Sequence, residues 1–192
     1  MTTSGVRERI IETASALFYE RGVHVVGVDE IVERSNVAKS SMYRHFRSKD
    51  ELVAAYVQAE DEAFWRRWDE IVQAADDPAS SLRAVVTWIG EKIERTDYRG
   101  CPQLNVAAEF PDVEHPARAV ATNHKRELRR RLAVLVGELG IAEPDAVTDA
   151  LWLMIDGAFA DHDQLRSTGD AVDVLRRAVD ALLGSRAHRT LR

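Results

Sequence analysis

Val28-Asp29-Glu30-Ile31-Val32-Glu33-Arg34-Ser35-Asn36-Val37-Ala38-Lys39-Ser40-Ser41-Met42-Tyr43-Arg44-His45-Phe46-Arg47-Ser48-Lys49 is the stretch whose reading decides the fold. It opens as a short helix, with Gly27 as N-cap and Glu30 favoured by the positive helix start. Asn36 tolerates the left-handed backbone that ends such a helix. A second short helix follows from Lys39 to Phe46. Ser48 then caps a further helix with Asp50 and Glu51 in its first turn. Ile31, Val32, Val37, Met42 and Phe46 are spaced to bury one small shared core, which turns Lys39, Ser40, Ser41, Arg44 and His45 outward.

The same helical period continues on both sides. Upstream, Val6, Ile10, Ala14, Leu17 and Phe18 recur at steps of three and four, and Gly22 reads as the stop. Downstream, Leu52, Val53, Tyr56, Val57, Phe64, Trp68 and Ile71 mark a long helix running to about Ala75. Asp77 and Pro78 start the next, with a stripe of Leu82, Val85, Val86, Ile89 and Ile93. Leu104 to Phe110 is one short helix ended by Pro111. Pro116 opens a long helix that Gly140 ends, and Pro144 opens another reaching about Arg166. Asp170 caps the last helix, with Val172, Leu175, Val179 and Leu182 on one face and Gly184 past its end. The tail Ser185 to Arg192 has little to bury and is expected to be mobile. No segment alternates with period two, so no strands are expected. The expectation is an all-α chain of about nine helices. Three short basic helices occupy residues 1–50, and longer acidic ones occupy residues 51–192.

Composition fits that division. The chain has 192 residues, 45% of them apolar and 30% charged, with a net charge of −6. Such a balance is ordinary for a soluble globular protein. Yet residues 1–49 carry eight Lys/Arg against six Asp/Glu, and Arg34 to Lys49 holds five basic residues and no acid. This asymmetry points to a polyanion-binding module joined to something else. Cys101 is the sole cysteine, which excludes an internal disulfide and a Cys-based zinc site and fits a reduced, cytoplasmic setting. Met1 to Arg9 lacks the apolar core of a signal peptide. The longest near-apolar run, Leu151 to Ala160, is far shorter than the roughly 20 residues that span a bilayer, so no membrane partner is expected.

Two short helices joined by a tight turn, the second rich in small polar and basic side chains, form the layout of a helix-turn-helix. Ser40 and Ser41 let the backbone approach the floor of a major groove, and Lys39 is long enough to reach a guanine edge or a phosphate. Tyr43 offers a hydroxyl to a phosphate oxygen. Lys49 opens the next helix, where its cation and the free backbone N–H groups both favour an anion.

The run from Ile10 to Leu52 resembles the DNA-binding domain of TetR-type transcriptional regulators. The resemblance is carried by Ala14, Leu17-Phe18, Gly22, Asp29-Glu30-Ile31, Asn36 to Phe46 and Ser48-Lys49-Asp50-Glu51-Leu52. Its most specific part is Tyr43-x-His45-Phe46-x-Ser48-Lys49-x-x-Leu52. Gly100-Cys101-Pro102, Asn105 and Glu109-Phe110-Pro111 resemble the second domain of one subgroup. The resemblance implies a homodimer on a double-stranded DNA operator and repression relieved by a small-molecule inducer in a divergent second domain. It implies Lys39, Ser40, Ser41, Tyr43, His45 and Lys49 as DNA contacts, and outward-facing Arg44 joins them by position. Two positions depart from the family's pattern. Gly27 stands where a Ser or Thr often supplies a hydroxyl to phosphate. Asn36 stands where the turn glycine is usual, and it tolerates the same backbone angle.

In the second domain, Leu151 to Ala160 is apolar all round, so one side suits the domain core and another a partner helix. With the stripe on the last helix it forms the natural dimer seam, a four-helix arrangement about a two-fold axis. Asp156 is a carboxylate among apolar neighbours and must be paired, hydrogen-bonded or neutral. It is either satisfied by a neighbouring helix or by an Arg or His, or acts as a polar anchor for a ligand or a metal. Trp88, Asn105, Phe110, Trp152 and Phe159 are the candidates to line a ligand cavity beside it. His115, His124 and His162 lack metal-ligand spacing, so no metal is expected and no cofactor is implied. The run Lys125, Arg126, Arg129, Arg130 and Arg131 wraps more than one helix face and reads as solvated surface. The sequence holds no Gly-x-Ser-x-Gly, no Gly-x-Gly-x-x-Gly, no phosphate loop and no His-Glu-x-x-His, so it does not read as an enzyme.

Overall fold

The computed structural model describes residues 3–187, and these are helices and their connections. Ten helices follow in order: α1 (Thr3–Arg21), α2 (Val28–Arg34), α3 (Lys39–His45), α4 (Lys49–Ala74), α5 (Pro78–Glu94), α6 (Pro102–Glu109), α7 (Pro116–Gly137), α8 (Pro144–Ala160), α9 (His162–Thr168) and α10 (Ala171–Ala187). The all-α expectation holds, with one helix more than the count from periodicity. The extra helix arises where a single element from Pro144 to about Arg166 was expected. The apolar run ends at Ala160, Asp161 leaves the helical backbone at φ −113° and ψ 41°, and α9 restarts at His162. The first helix is 19 residues long, not short. Gly184 lies inside α10, not past its end. The tail expected to be mobile lies outside the described residues from 188 onward.

The stops and caps act where local chemistry puts them. Gly22 at φ 87° and Asn36 at φ 50° take the left-handed backbone that closes α1 and α2. The Ser48 Oγ accepts the Glu51 N–H at 3.1 Å, while the Glu51 carboxylate reaches back to the Arg47 N–H at 2.7 Å. That reciprocal pair is a close variant of the capping box and fixes where α4 begins. Asp77 caps α5 through Ser80 N–H at 2.8 Å, and Asp170 caps α10 through Asp173 N–H at 3.1 Å.

The chain divides into two compact units. The first joins residues 1–64 to residues 101–124. Its core contains Ile10, Ala14, Leu17 and Phe18 of α1, Ile31 of α2, Met42 and Phe46 at α3, and Leu52, Val53, Tyr56 and Val57 of α4. Val106 of α6 and Ala117 of α7 belong to this same core. Beside it, the Glu109 carboxylate clasps the turn after α1, accepting the Val23 N–H at 2.8 Å and the His24 N–H at 3.3 Å. The Phe110 ring stacks on His115 at 3.8 Å and meets His24 at 5.0 Å.

The second unit comprises residues 65–100 and 125–192. Leu82, Val85, Val86, Ile89 and Ile93 form the buried stripe of α5, as the spacing predicts. α10 packs on α5 with Ala171, Leu175 and Val179 buried. The two helices approach closely at Gly90, since a Cβ there would lie 2.6 Å from the Cα of Val172. On α8, Leu151, Ile155 and Phe159 are buried, but Leu153 is 62% exposed, so the helix is not covered on all sides within one chain. The basic run of α7 is threaded with acids. Arg129 pairs with Asp149 at 2.7 Å, Arg130 with Glu127 at 2.6 Å, and Arg131 with both Glu127 and Asp69. Arg131 also lies over the Trp65 ring at 4.6 Å. No described helix is long and apolar enough to cross a membrane.

Candidate functional site

α2 and α3 meet at the turn through Asn36 and bury Ile31, Met42 and Phe46 between them and α1. Val32 and Val37 pack at the edge of that core. This burial fixes which side of α3 faces out. Lys39, Ser40, Tyr43 and Arg44 are exposed, whereas Ser41, His45 and Lys49 are half-buried. Tyr43 is 47% exposed, a large aromatic left in solvent with its hydroxyl free to meet a partner. The Arg44 guanidinium donates to the Ser41 Oγ at 3.2 Å, which holds both side chains along one face of α3. The His45 Nε2 is shielded from solvent and has no hydrogen-bond partner, so His45 points partly inward, where the sequence reading set it outward. Lys49 sits at the first residue of α4 with its Nζ 5.9 Å from the Phe18 ring. Burial lowers its pKa below the usual lysine value, against the raising effect of the Asp50 and Glu109 charges.

Asp29 is a feature of this surface that the sequence reading did not single out. Its Oδ1 lies 2.6 Å from the Lys39 Nζ, joining the first turn of α2 to the first residue of α3. That hydrogen bond and the Asp29 charge raise the Lys39 pKa. Positions 29 and 39 fall on different helices and share no period, so only the fold reveals the pair. Two further basic residues, one on α1 and one on α2, are also held. Glu30 binds Arg21 at 2.6 Å and Arg34 at 3.0 Å. Lys39, Ser40, Ser41, Tyr43, Arg44 and Lys49 thus form a surface of hydroxyls and cations on a rigid three-helix base, the chemistry that meets a phosphate backbone and a groove floor.

The ligand candidates fall in both units. Asn105 and Phe110 belong to the first, where the Phe110 ring contacts the imidazoles of both His24 and His115. Trp88, Trp152, Asp156 and Phe159 belong to the second. Asp156 accepts from the Lys125 ammonium of α7 at 2.5 Å, and the same Nζ lies 5.8 Å from the Phe159 ring. The carboxylate therefore has a cationic partner within the chain. Trp152 and Thr148 lie one helical turn apart on α8, and each has a solvent-shielded polar atom, Nε1 and Oγ1, without a hydrogen-bond partner. A separate cleft of about 450 Å³ opens between α8, α9 and α10, lined by Met154, Gly157, Ala158, Leu165 and Leu175 among others. None of the six ligand candidates lines it. Cys101 is buried, with its Sγ 3.4 Å from the Gln103 Oε1.

The known proteins that share this arrangement agree with one another. Residues 10–56 match the family described as bacterial regulatory proteins, tetR family. The transcriptional regulator AcuR of Cereibacter sphaeroides is 32% identical over 148 residues, covering 72% of this chain and 68% of its own. This chain belongs to the TetR family. A TetR-family regulator from Streptomyces coelicolor superposes with a TM-score of 0.86 at 28% identity, over 95% of this chain and 96% of the other. A TetR regulator from Streptomyces avermitilis does so with a TM-score of 0.81 at 30% identity, over 95% and 98%. TetR proteins are DNA-binding transcriptional regulators rather than enzymes, and they act on operators as homodimers.

Proposed function

We propose that this TetR protein is a repressor in which residues 1–50 read the operator and residues 51–192 carry dimerisation and the inducer. The observation that carries the DNA half is the outward row Lys39, Ser40, Tyr43 and Arg44 with Lys49 at the start of α4. His45 contributes at its edge, and Ser41 is oriented by Arg44. The reading of the seam rests on α8 and α10, where Leu153 of α8 stays exposed on the single chain. A dimer that reads successive major grooves must hold its two α3 helices about 34–36 Å apart.

The inducer half is supported by α8. Trp152 and Thr148 each carry a shielded polar atom with no partner, and a bound polar molecule would satisfy both. Asp156 with its Lys125 partner, Phe159 and Trp88 belong to the same unit as Trp152 and Thr148, whereas Asn105 and Phe110 are ligand candidates in the other unit. α4 is one unbroken helix from Lys49 to Ala74, so a tilt at its far end reaches the residue that opens the DNA surface. Inducer and operator would then oppose each other reciprocally, by an amount typically in the range of about 1–3 kcal/mol. The test is fluorescence anisotropy on a labelled duplex from upstream of the protein's own gene, titrated with and without candidate small molecules. Retained DNA affinity in the presence of every compound that binds the protein would overturn the inducer half. Tighter DNA binding with such a compound would make the ligand a co-regulator instead.

A further inference from the structure

The Asp29–Lys39 pair stands on the face read above as the DNA surface, with side-chain exposures of 79% and 57%. An exposed ion pair of this kind contributes little to folding. It places a carboxylate among groups that otherwise suit a polyanion. We infer that Asp29 is a specificity-determining residue that reads a single G·C base pair jointly with Lys39. The inference rests on Lys39 as a base contact.

The argument is one of spacing and hydrogen-bond character. The ammonium only donates, and the carboxylate only accepts. Their charged atoms lie 2.6 Å apart. In the major groove, guanine O6 and cytosine N4 are themselves partners in one hydrogen bond, so they lie about 2.9 Å apart. A fixed donor and acceptor at that spacing meet O6 and the N4 amino group side by side. Guanine N7 offers the ammonium a second acceptor next to O6. An A·T pair also presents an acceptor beside an amino group, at thymine O4 and adenine N6. There, however, adenine N7 would face the carboxylate, acceptor against acceptor. The pair therefore favours G·C, with guanine on the Lys39 side. The same carboxylate repels phosphates and keeps Lys39 from binding them, which lowers affinity for duplexes lacking the site.

The test starts from a random-sequence duplex library enriched on the full-length wild-type protein, repeated with Asp29→Ala and Lys39→Ala. Asp29→Ala is expected to lose roughly tenfold preference for G·C at one position and its symmetry mate while keeping the others. Lys39→Ala should lose preference at the same position. Asp29→Ala should also bind unrelated duplex more tightly, with the slope of log K against log salt steeper by about 0.9, as the freed Lys39 takes up a phosphate. Unchanged base preferences with a steeper slope would overturn the inference and leave Asp29 as a bare charge. Unchanged preferences with an unchanged slope would overturn it as well. Thermal unfolding of each variant controls for folding. A wild-type protein that enriches no sequence at all would remove the DNA reading on which the inference stands.

Discussion

Replacing Gly90 with alanine sets two effects of known size against each other. In a helix interior, alanine is favoured over glycine by about 0.8–1.0 kcal/mol. At Gly90, however, the new methyl would lie 2.6 Å from the Val172 Cα and 2.9 Å from its backbone N. Carbon atoms sit comfortably at about 3.5–4.0 Å, so α5 and α10 must part by close to 1 Å. Backbone atoms cannot swing aside as a flexible side chain would. Such a gap forfeits about a quarter to a half of the dispersion attraction across the contact. It loosens Ala171, Leu175 and Val179, which are buried against neighbouring helices. Overpacking of this kind costs about 1–3 kcal/mol, and a clash with backbone belongs at the upper end. The net expectation is a loss of about 2 kcal/mol, a fall in Tm of about 4–8 °C for a chain of this length. Gly137→Ala is the control, because nothing lies within 4 Å of a Cβ there. It should be neutral or stabilising by up to about 1 kcal/mol. Urea unfolding of both variants at one protein concentration gives the comparison. If Gly90→Ala proves as stable as Gly137→Ala, the close approach of α5 to α10 is wrong.

Four further outcomes are expected. Lys49→Ala should weaken binding to all duplex sequences about equally and reduce the salt slope by about one, and a selective loss at one base pair would make Lys49 a base reader. Leu153→Arg should convert dimer to monomer in sedimentation and abolish tight operator binding, because Leu153 is exposed on the single chain. Leu175 is 5% exposed there, so a charge at Leu175 would test folding instead. Asp156→Ala should destabilise the protein by about 1–3 kcal/mol, since the half-buried Lys125 ammonium loses its partner; a variant as stable as wild type that has lost ligand binding would make Asp156 a ligand anchor. Hydrogen bonds from Arg130 and Arg131 bring the Glu127 pKa down to about 2. A carboxylate depressed in the folded state binds fewer protons than in the unfolded one, so its stabilisation is complete above about pH 4.5 and fades as pH falls toward 2. Glu127 is partly solvated, so Glu127→Gln should flatten acid unfolding over that window by about 1 kcal/mol or less.

Most of the helix plan was legible because caps and stops are local. Ser48, Asp77, Pro78, Pro116, Pro144 and Asp170 all act where their types predict. The Asp161 break was not legible, since nothing at that residue forbids helix and only the end of the apolar run marks it. The outward face of α3 was legible from the spacing of Met42 and Phe46, both buried. The inward turn of the His45 Nε2 and the Asp29–Lys39 pair were not, because both depend on packing between helices. Asp156 was recognisable as a carboxylate in need of a partner, but the identity of Lys125 as that partner required the register of α7 against α8.

Glu109 and the core residues Val106 and Ala117 have a consequence for anyone building hybrids of this regulator. The compact unit that presents α3 is not contiguous in the chain, since it takes in residues 101–124. A hybrid joined once, near residue 50, would put foreign side chains where Glu109 clasps the Val23 and His24 amides and where Val106 and Ala117 complete the core. Two exchanged segments, 65–100 and 125–192, would leave that unit whole while importing another protein's second unit. Building hybrids on this scaffold would therefore be a three-junction graft, with two of the junctions inside α4 and α7, where helical phase must be kept to the residue.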